Sequence, residues 1–99
     1  DIRADLETQR VTRGGTPLDL TAKEFSLLLF FLRNPGKVLS RTRIYDTVWD
    51  DAYDGLSNTL EVHVKELRHK LEASGPRVIQ TLRGRGYVLE ATSDDEGAL

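Results

Sequence analysis

The chain has no cysteine. Disulfides and thiolate zinc sites are therefore excluded, which suits a reducing compartment. No apolar run approaches the roughly 18–20 residues that a membrane-spanning helix needs. No basic start followed by an apolar stretch marks a signal peptide. There is no H-E-x-x-H, no Ser-His-Asp pattern and no P-loop lysine, so nothing calls for catalytic residues, a metal or another cofactor. A small hydrolase using scattered carboxylates would need a pocket of convergent titratable groups, and the spacing predicts none. A strong charge excess is missing too: 14 Lys and Arg face 16 Asp and Glu, for a net charge of -2. That total argues weakly against a polyanionic partner, but its distribution matters more.

The distribution is uneven. Residues 77–90 carry Arg77, Arg83 and Arg85 against Glu90, whereas residues 91–99 carry Asp94, Asp95 and Glu96. Setting those last three acids aside turns the net charge of -2 into +1. The 99 residues suit one domain with one core, expected over 1–91, followed by a disordered acidic tail over 92–99.

Hydrophobic patterning predicts short strands, then helices, then a hairpin. Gln9–Arg13 and Thr16–Leu20 flank Gly14-Gly15, a two-residue hairpin signal, and Ile2–Leu6 is a partner strand. Thr21 and Glu24 form a capping box ahead of AKEFSLLLFFLR. There Phe25, Leu28, Leu29 and Leu32 define a buried stripe that Phe30 and Phe31 widen. Asn34-Pro35-Gly36 ends this helix, and a second one starts at Ser40 and runs to about Trp49. Residues 50–56 read as a loop, and Ser57 or Asn58 caps a third helix that ends near Ala73. Val78–Leu82 and Tyr87–Glu90 form the arms of a hairpin around Gly84 and Gly86.

The third helix has two dissimilar faces. Leu60, Val64, Leu67 and Leu71 make a core stripe. With Leu60 as zero, Lys65 falls at about 140°, Asn58 at about 160°, His69 at about 180° and Val62 at about 200°. Val62 thus sits where a solvated helix would carry a polar group, with Asn58, Thr59, Lys65 and Glu66 around it. Such a face suits base edges: Asn pairs with adenine, Lys with guanine or phosphate, Glu accepts from cytosine, and an apolar group meets a thymine methyl. The plain alternatives are a solvated face and a lone exposed valine, which is common. His63 flanks the core and suits either a phosphate or the core edge. At the hairpin tip, Arg85 suits a narrow minor groove or serves only to solubilise. The rival reading is a protein-interaction module, which the near-neutral charge and Glu61, Glu66 and Glu72 favour.

Taken with their order and spacing, LTAKEFSLLLFFLRNPGKVLSR (20–41), VWD (48–50), SNTLEVHVKELRHKLE (57–72) and TLRGRGYVL (81–89) resemble the OmpR/PhoB family. These are the winged-helix DNA-binding output domains of two-component response regulators. The resemblance implies an α+β winged helix-turn-helix: a short N-terminal antiparallel sheet, here of about three strands where the family has four, a three-helix core and a C-terminal β-hairpin wing. It implies a recognition helix over 57–73 in the major groove, with contacts from Asn58, Thr59, Val62, His63, Lys65, Glu66 and Arg68. It implies a wing over 77–90 on the adjacent minor groove or backbone, using Thr81 and Arg83 beside Arg85. Arg41 and Trp49 match positions near the DNA backbone. Residues 50–56, with Asp51, Tyr53 and Asp54, match a segment that meets RNA polymerase in some members. Glu66 stands where some members carry a base-reading arginine, which implies a different target sequence or a spectator. The resemblance further implies head-to-tail dimers on direct-repeat double-stranded DNA, a receiver domain elsewhere in the full-length protein, and a cytoplasmic location with no membrane partner.

Overall fold

The computed structural model describes residues 2–49 and 58–90. Three strands, β1 (Ile2–Asp5), β2 (Arg10–Arg13) and β3 (Thr16–Leu18), form an antiparallel sheet in sequence order. Gly14 and Gly15 join β2 to β3 with φ of 57° and 84°, the left-handed pair that a tight hairpin turn requires. The Asp5 carboxylate organises the preceding turn by accepting from the backbone N–H groups of Glu7 and Thr8 at 2.9 and 3.3 Å. Leu6, expected to continue β1, leaves the strand at this turn and is exposed.

Helix α1 (Ala22–Arg33) carries the expected capping box: Glu24 N–H donates to Thr21 Oγ1, and Thr21 N–H donates to Glu24 Oε1. Its core face differs from the expected stripe. Phe25, Leu27, Leu28 and Phe31 are buried, whereas Leu29 and Leu32 are only partly covered. The reason is the number of neighbours. The helix packs against three other elements rather than one layer, so the covered face is broader and centred on Leu27 and Leu28.

Ser40 caps α2 (Arg41–Ile44), accepting from Arg43 N–H at 3.1 Å. The helix then widens into a π-helical turn, Tyr45–Trp49, so the single helix expected over 40–49 has two geometries. Helix α3 (Thr59–Glu72) buries Leu60, Val64, Leu67 and Leu71, as its periodicity predicts. Asn58 stands at the N-cap but its side chain makes no capping bond. Ser57, the other expected cap, lies outside the described residues. The Tyr45 hydroxyl accepts from Leu60 N–H at 3.0 Å, so an acceptor from the preceding helical segment serves the first turn of α3.

Strands β4 (Ile79–Leu82) and β5 (Gly86–Leu89) form the C-terminal hairpin. It is fastened to the chain between α1 and α2. Leu39 N–H donates to Tyr87 O at 2.7 Å, Tyr87 N–H to Leu39 O at 3.0 Å, and Gly36 N–H to Leu89 O at 2.8 Å. Gly86 permits this approach, with φ of 135° and an ideal Cβ position only 2.1 Å from Leu39 O. The sheet, three helical segments and hairpin together make the expected α+β winged helix-turn-helix. The acidic tail (92–99) and the 50–56 loop fall outside the described residues.

Two polar contacts fix α3 from its inner side. Lys70 Nζ lies 2.6 Å from Glu24 Oε1, whose side chain is 6% exposed. The Arg13 side chain on β2 is fully buried and donates to Leu71 O at 2.7 Å and to Pro76 O at 2.5 Å. Gly75 lets the guanidinium through, since an added Cβ would stand 2.8 Å from Arg13 Cζ.

Two stability measurements test these contacts. Gly86→Ala is expected to cost about 3 kcal/mol or more, because a clash with backbone adds to left-handed strain. Gly84→Ala, with φ of 76° and no atom within 4 Å, is expected to cost about 1–2 kcal/mol; equal urea midpoints for the two variants would contradict this packing. For Glu24, burial acts to raise the carboxyl pKa, but the Lys70 ammonium and the Thr21 N–H outweigh it and hold the group below its ordinary 4.5. A carboxyl so depressed stabilises the fold above its unfolded value, and that stability is lost as pH falls through the folded value. Glu24→Gln should therefore be destabilising near neutral pH and progressively less so below 4.5. Urea melts of both proteins across that range check it, and a constant difference would show that the carboxylate charge is not involved.

Candidate nucleic-acid interface

The outward face of α3 follows from burial of the opposite stripe. Val62 is 49% exposed, and Asn58, Lys65, Glu66 and His69 are exposed with it. Thr59 is half-buried in the first turn. The helix is held by its inner stripe, its two ends and its flanks, and this outer face is left open to solvent.

His63 lies on the flank, half-buried. Its Nδ1 donates to Thr59 O at 2.8 Å, because a carbonyl can only accept. Its ring meets Trp49 edge-on, with centroids 5.1 Å apart and planes at 85°. Trp49 also packs on Tyr45 at 5.3 Å and lies under the Lys23 ammonium at 5.6 Å. His63 and Trp49 thus form a small aromatic shelf beside the N-terminal half of α3.

On the other flank, two arginines lie close to the Tyr87 ring. The Arg41 guanidinium lies 5.5 Å from its ring centroid and the Arg68 guanidinium 5.7 Å. Arg41 Nε also pairs with Glu61 Oε2 at 2.5 Å. Arg68 Nε donates to Ile79 O at 3.0 Å, and its terminal nitrogen donates to Thr81 Oγ1. Burial raises the Tyr87 phenol pKa, with the Glu61 carboxylate adding to the effect. Burial, then the like charge of Arg77, lowers that of Arg68. Helix α3 and the hairpin are therefore joined through side chains as well as by chain order.

At the hairpin tip, Arg83 and Arg85 are exposed on either side of Gly84, and Arg85 N–H closes the turn on Leu82 O at 2.9 Å. Thr81 is exposed beside them. The outer face of α3 and the wing tip thus give two solvent-facing surfaces on one rigid frame. Asp51, Tyr53 and Asp54 lie outside the described residues.

Sequence reasoning did not find the parts that Tyr45, Tyr87, Arg13 and the Glu24–Lys70 pair play in positioning this surface. Arg13 left one usable signal: it lies two residues from the buried Val11, on the same side of β2.

The comparisons agree with this geometry. A family model described as "Transcriptional regulatory protein, C terminal" matches residues 15–89. The transcriptional regulatory protein CusR of Escherichia coli K12 is 50% identical over 91 residues, covering 91% of this chain and 40% of CusR. The response regulator MprA of Mycolicibacterium vanbaalenii is 50% identical over 93 residues, covering 93% of this chain and 40% of MprA. The chain therefore spans about 40% of the length of these curated relatives. Among solved structures, the DNA-binding domain of Klebsiella pneumoniae RstA, in complex with the RstA box, superposes with a TM-score of 0.82 at 26% identity, covering 90% of each chain. The chain belongs to the family of C-terminal domains of transcriptional regulatory proteins, as an OmpR/PhoB-type winged-helix output domain of a response regulator.

Proposed function

We propose that α3 enters the major groove of double-stranded DNA while the β4–β5 wing reaches the adjacent minor groove or backbone. The observation that carries this reading is Val62. It is exposed among Asn58, Lys65 and Glu66, on a helix whose opposite stripe is fully enclosed. Asn58, Val62, Lys65 and Glu66 face base edges, with Glu66 accepting from a cytosine amino group. Thr59, His63, Arg41 and Arg68 meet phosphates, with Trp49 beside them, and set the register. Arg68 can hold the wing and still meet a phosphate, because a guanidinium has five N–H donors. Thr81, Arg83 and Arg85 carry the wing contacts.

In this reading the domain works inside a longer cytoplasmic regulator, without cofactor or catalysis of its own, under a receiver domain beyond these residues. It binds direct repeats as a head-to-tail dimer. Residues 50–56, with Asp51, Tyr53 and Asp54, face RNA polymerase. The length of the relatives and their printed roles support this wider assignment.

Fluorescence-anisotropy titration of duplex DNA over a range of salt tests the core of it. Arg85→Ala should weaken binding to most sequences and flatten the dependence of log K on log salt by up to about one unit; an unchanged slope would remove the wing tip from the interface. Val62→Ser should relax preference at one thymine, at a cost of roughly 1 kcal/mol. Selection from random DNA reads this out, and an identical motif for both proteins would end the methyl-contact idea. If the wild type shows no salt-dependent binding at all, the reading gives way to a protein-interaction module.

A further inference from the structure

A basic cleft lies beside the surfaces just assigned. It has a volume of about 450 Å3, and Lys65, Arg68, His69, Glu72, Ala73 and Arg77 line it. Three of these side chains are cations and one is a carboxylate, in a chain whose net charge is -2. The carboxylate is engaged: Arg77 donates to Glu72 through Nε at 2.9 Å and through a terminal nitrogen at 3.5 Å. That pair orients the Arg77 guanidinium, yet its side chain stays 54% exposed. Lys65 and His69 share the outer face with Asn58 and Val62, whereas Arg68 turns to the wing. The cleft therefore runs from the reading face to the root of the wing. A helix C-terminus would ordinarily repel an anion. Here Leu71 O and Pro76 O accept from the buried Arg13, which places a positive charge at that end of α3.

We propose that this cleft seats the sugar–phosphate strand that passes between the groove read by α3 and the groove reached by the wing, with Arg77 and His69 as additional phosphate contacts. The proposal rests on the DNA-binding reading. A helix in one groove and a hairpin in the next must straddle a phosphate strand, and the cleft lies between the C-terminal half of α3 and the root of the hairpin. Arg77 would make charge-assisted bonds to phosphate, and His69 offers a ring N–H in either tautomer. Neither contact reads a base, so both add affinity without sequence preference.

The test is Arg77→Gln in the whole 99-residue chain, titrated with a selected duplex and a random duplex over a range of salt. The salt slope should flatten by about 0.9 unit on both duplexes, so that a fourfold rise in salt costs the variant about 3.5-fold less affinity than it costs the wild type. Glu72→Gln removes the competing carboxylate and should tighten binding. It should do so more than Glu7→Gln, which makes the same charge change on the β1–β2 turn. If Arg77→Gln leaves the slope unchanged while Arg85→Ala flattens it, the cleft proposal is overturned and the DNA-binding reading stands. Loss on the selected duplex alone would also overturn it, because that would make Arg77 a base contact. A wild type without salt-dependent binding would overturn both.

Discussion

Burial of Leu60, Val64, Leu67 and Leu71 along α3 is the contact on which the rest of this domain depends. Each such side chain contributes about 2 kcal/mol of transfer free energy, and the stripe also fixes the rotation of the helix. Once those residues face inward, Val62 and its polar neighbours face out. The remaining fastenings respect that rotation. The Tyr45 hydroxyl takes the first turn, Arg13 takes the last, Lys70 reaches Glu24 on α1, and Arg68 reaches β4. The outer face of α3 stays exposed while these contacts anchor the opposite face, the ends and the flanks of the helix.

The same economy governs the charges. Several cations that composition alone would assign to nucleic acid also have work within the fold. Arg13 is buried, Lys70 pairs with Glu24, and Arg41 pairs with Glu61 while stacking on Tyr87. This leaves exposed cations at the wing tip and at Lys65 and Arg77, with Arg3, Arg10, Arg33, Lys37 and Arg43 exposed elsewhere, on a slightly acidic chain. Affinity then depends on where a few charges sit and on the rigidity with which the helix and wing are held together. Gly86 and the Leu39–Tyr87 bridge supply part of that rigidity by bringing two backbones into contact.

Features with a local signature are legible in the sequence. The Thr21–Glu24 capping box, the Gly14-Gly15 turn, the α3 stripe and the exposure of Val62 each follow from spacing within a few residues. The α1 face was read less well. Periodicity marks one apolar side, but a helix packed against several neighbours has no single side, so Leu27 is enclosed with Leu28 and the expected Phe31, while Leu29, Phe30 and Leu32 are only partly covered. Ser40 and Ile44 announced a second helix, yet nothing in YDTVW announced a π-helical turn.

By itself, the sequence determined the order of elements, the inward stripe of α3 and the identity of the residues left on its outer face. Those properties depend on helix and strand periods, which act over a turn or two. Tertiary structure alone decided that Tyr45 accepts from the first turn of α3, where Arg13 goes and which arginines bind the wing. Those contacts join residues far apart in the chain: Arg13 and Leu71 are 58 positions apart, and Glu24 and Lys70 are 46 apart. Hydrogen-bond partners at such separations are chosen by the geometry of the packed core, and local periodicity carries no record of that choice.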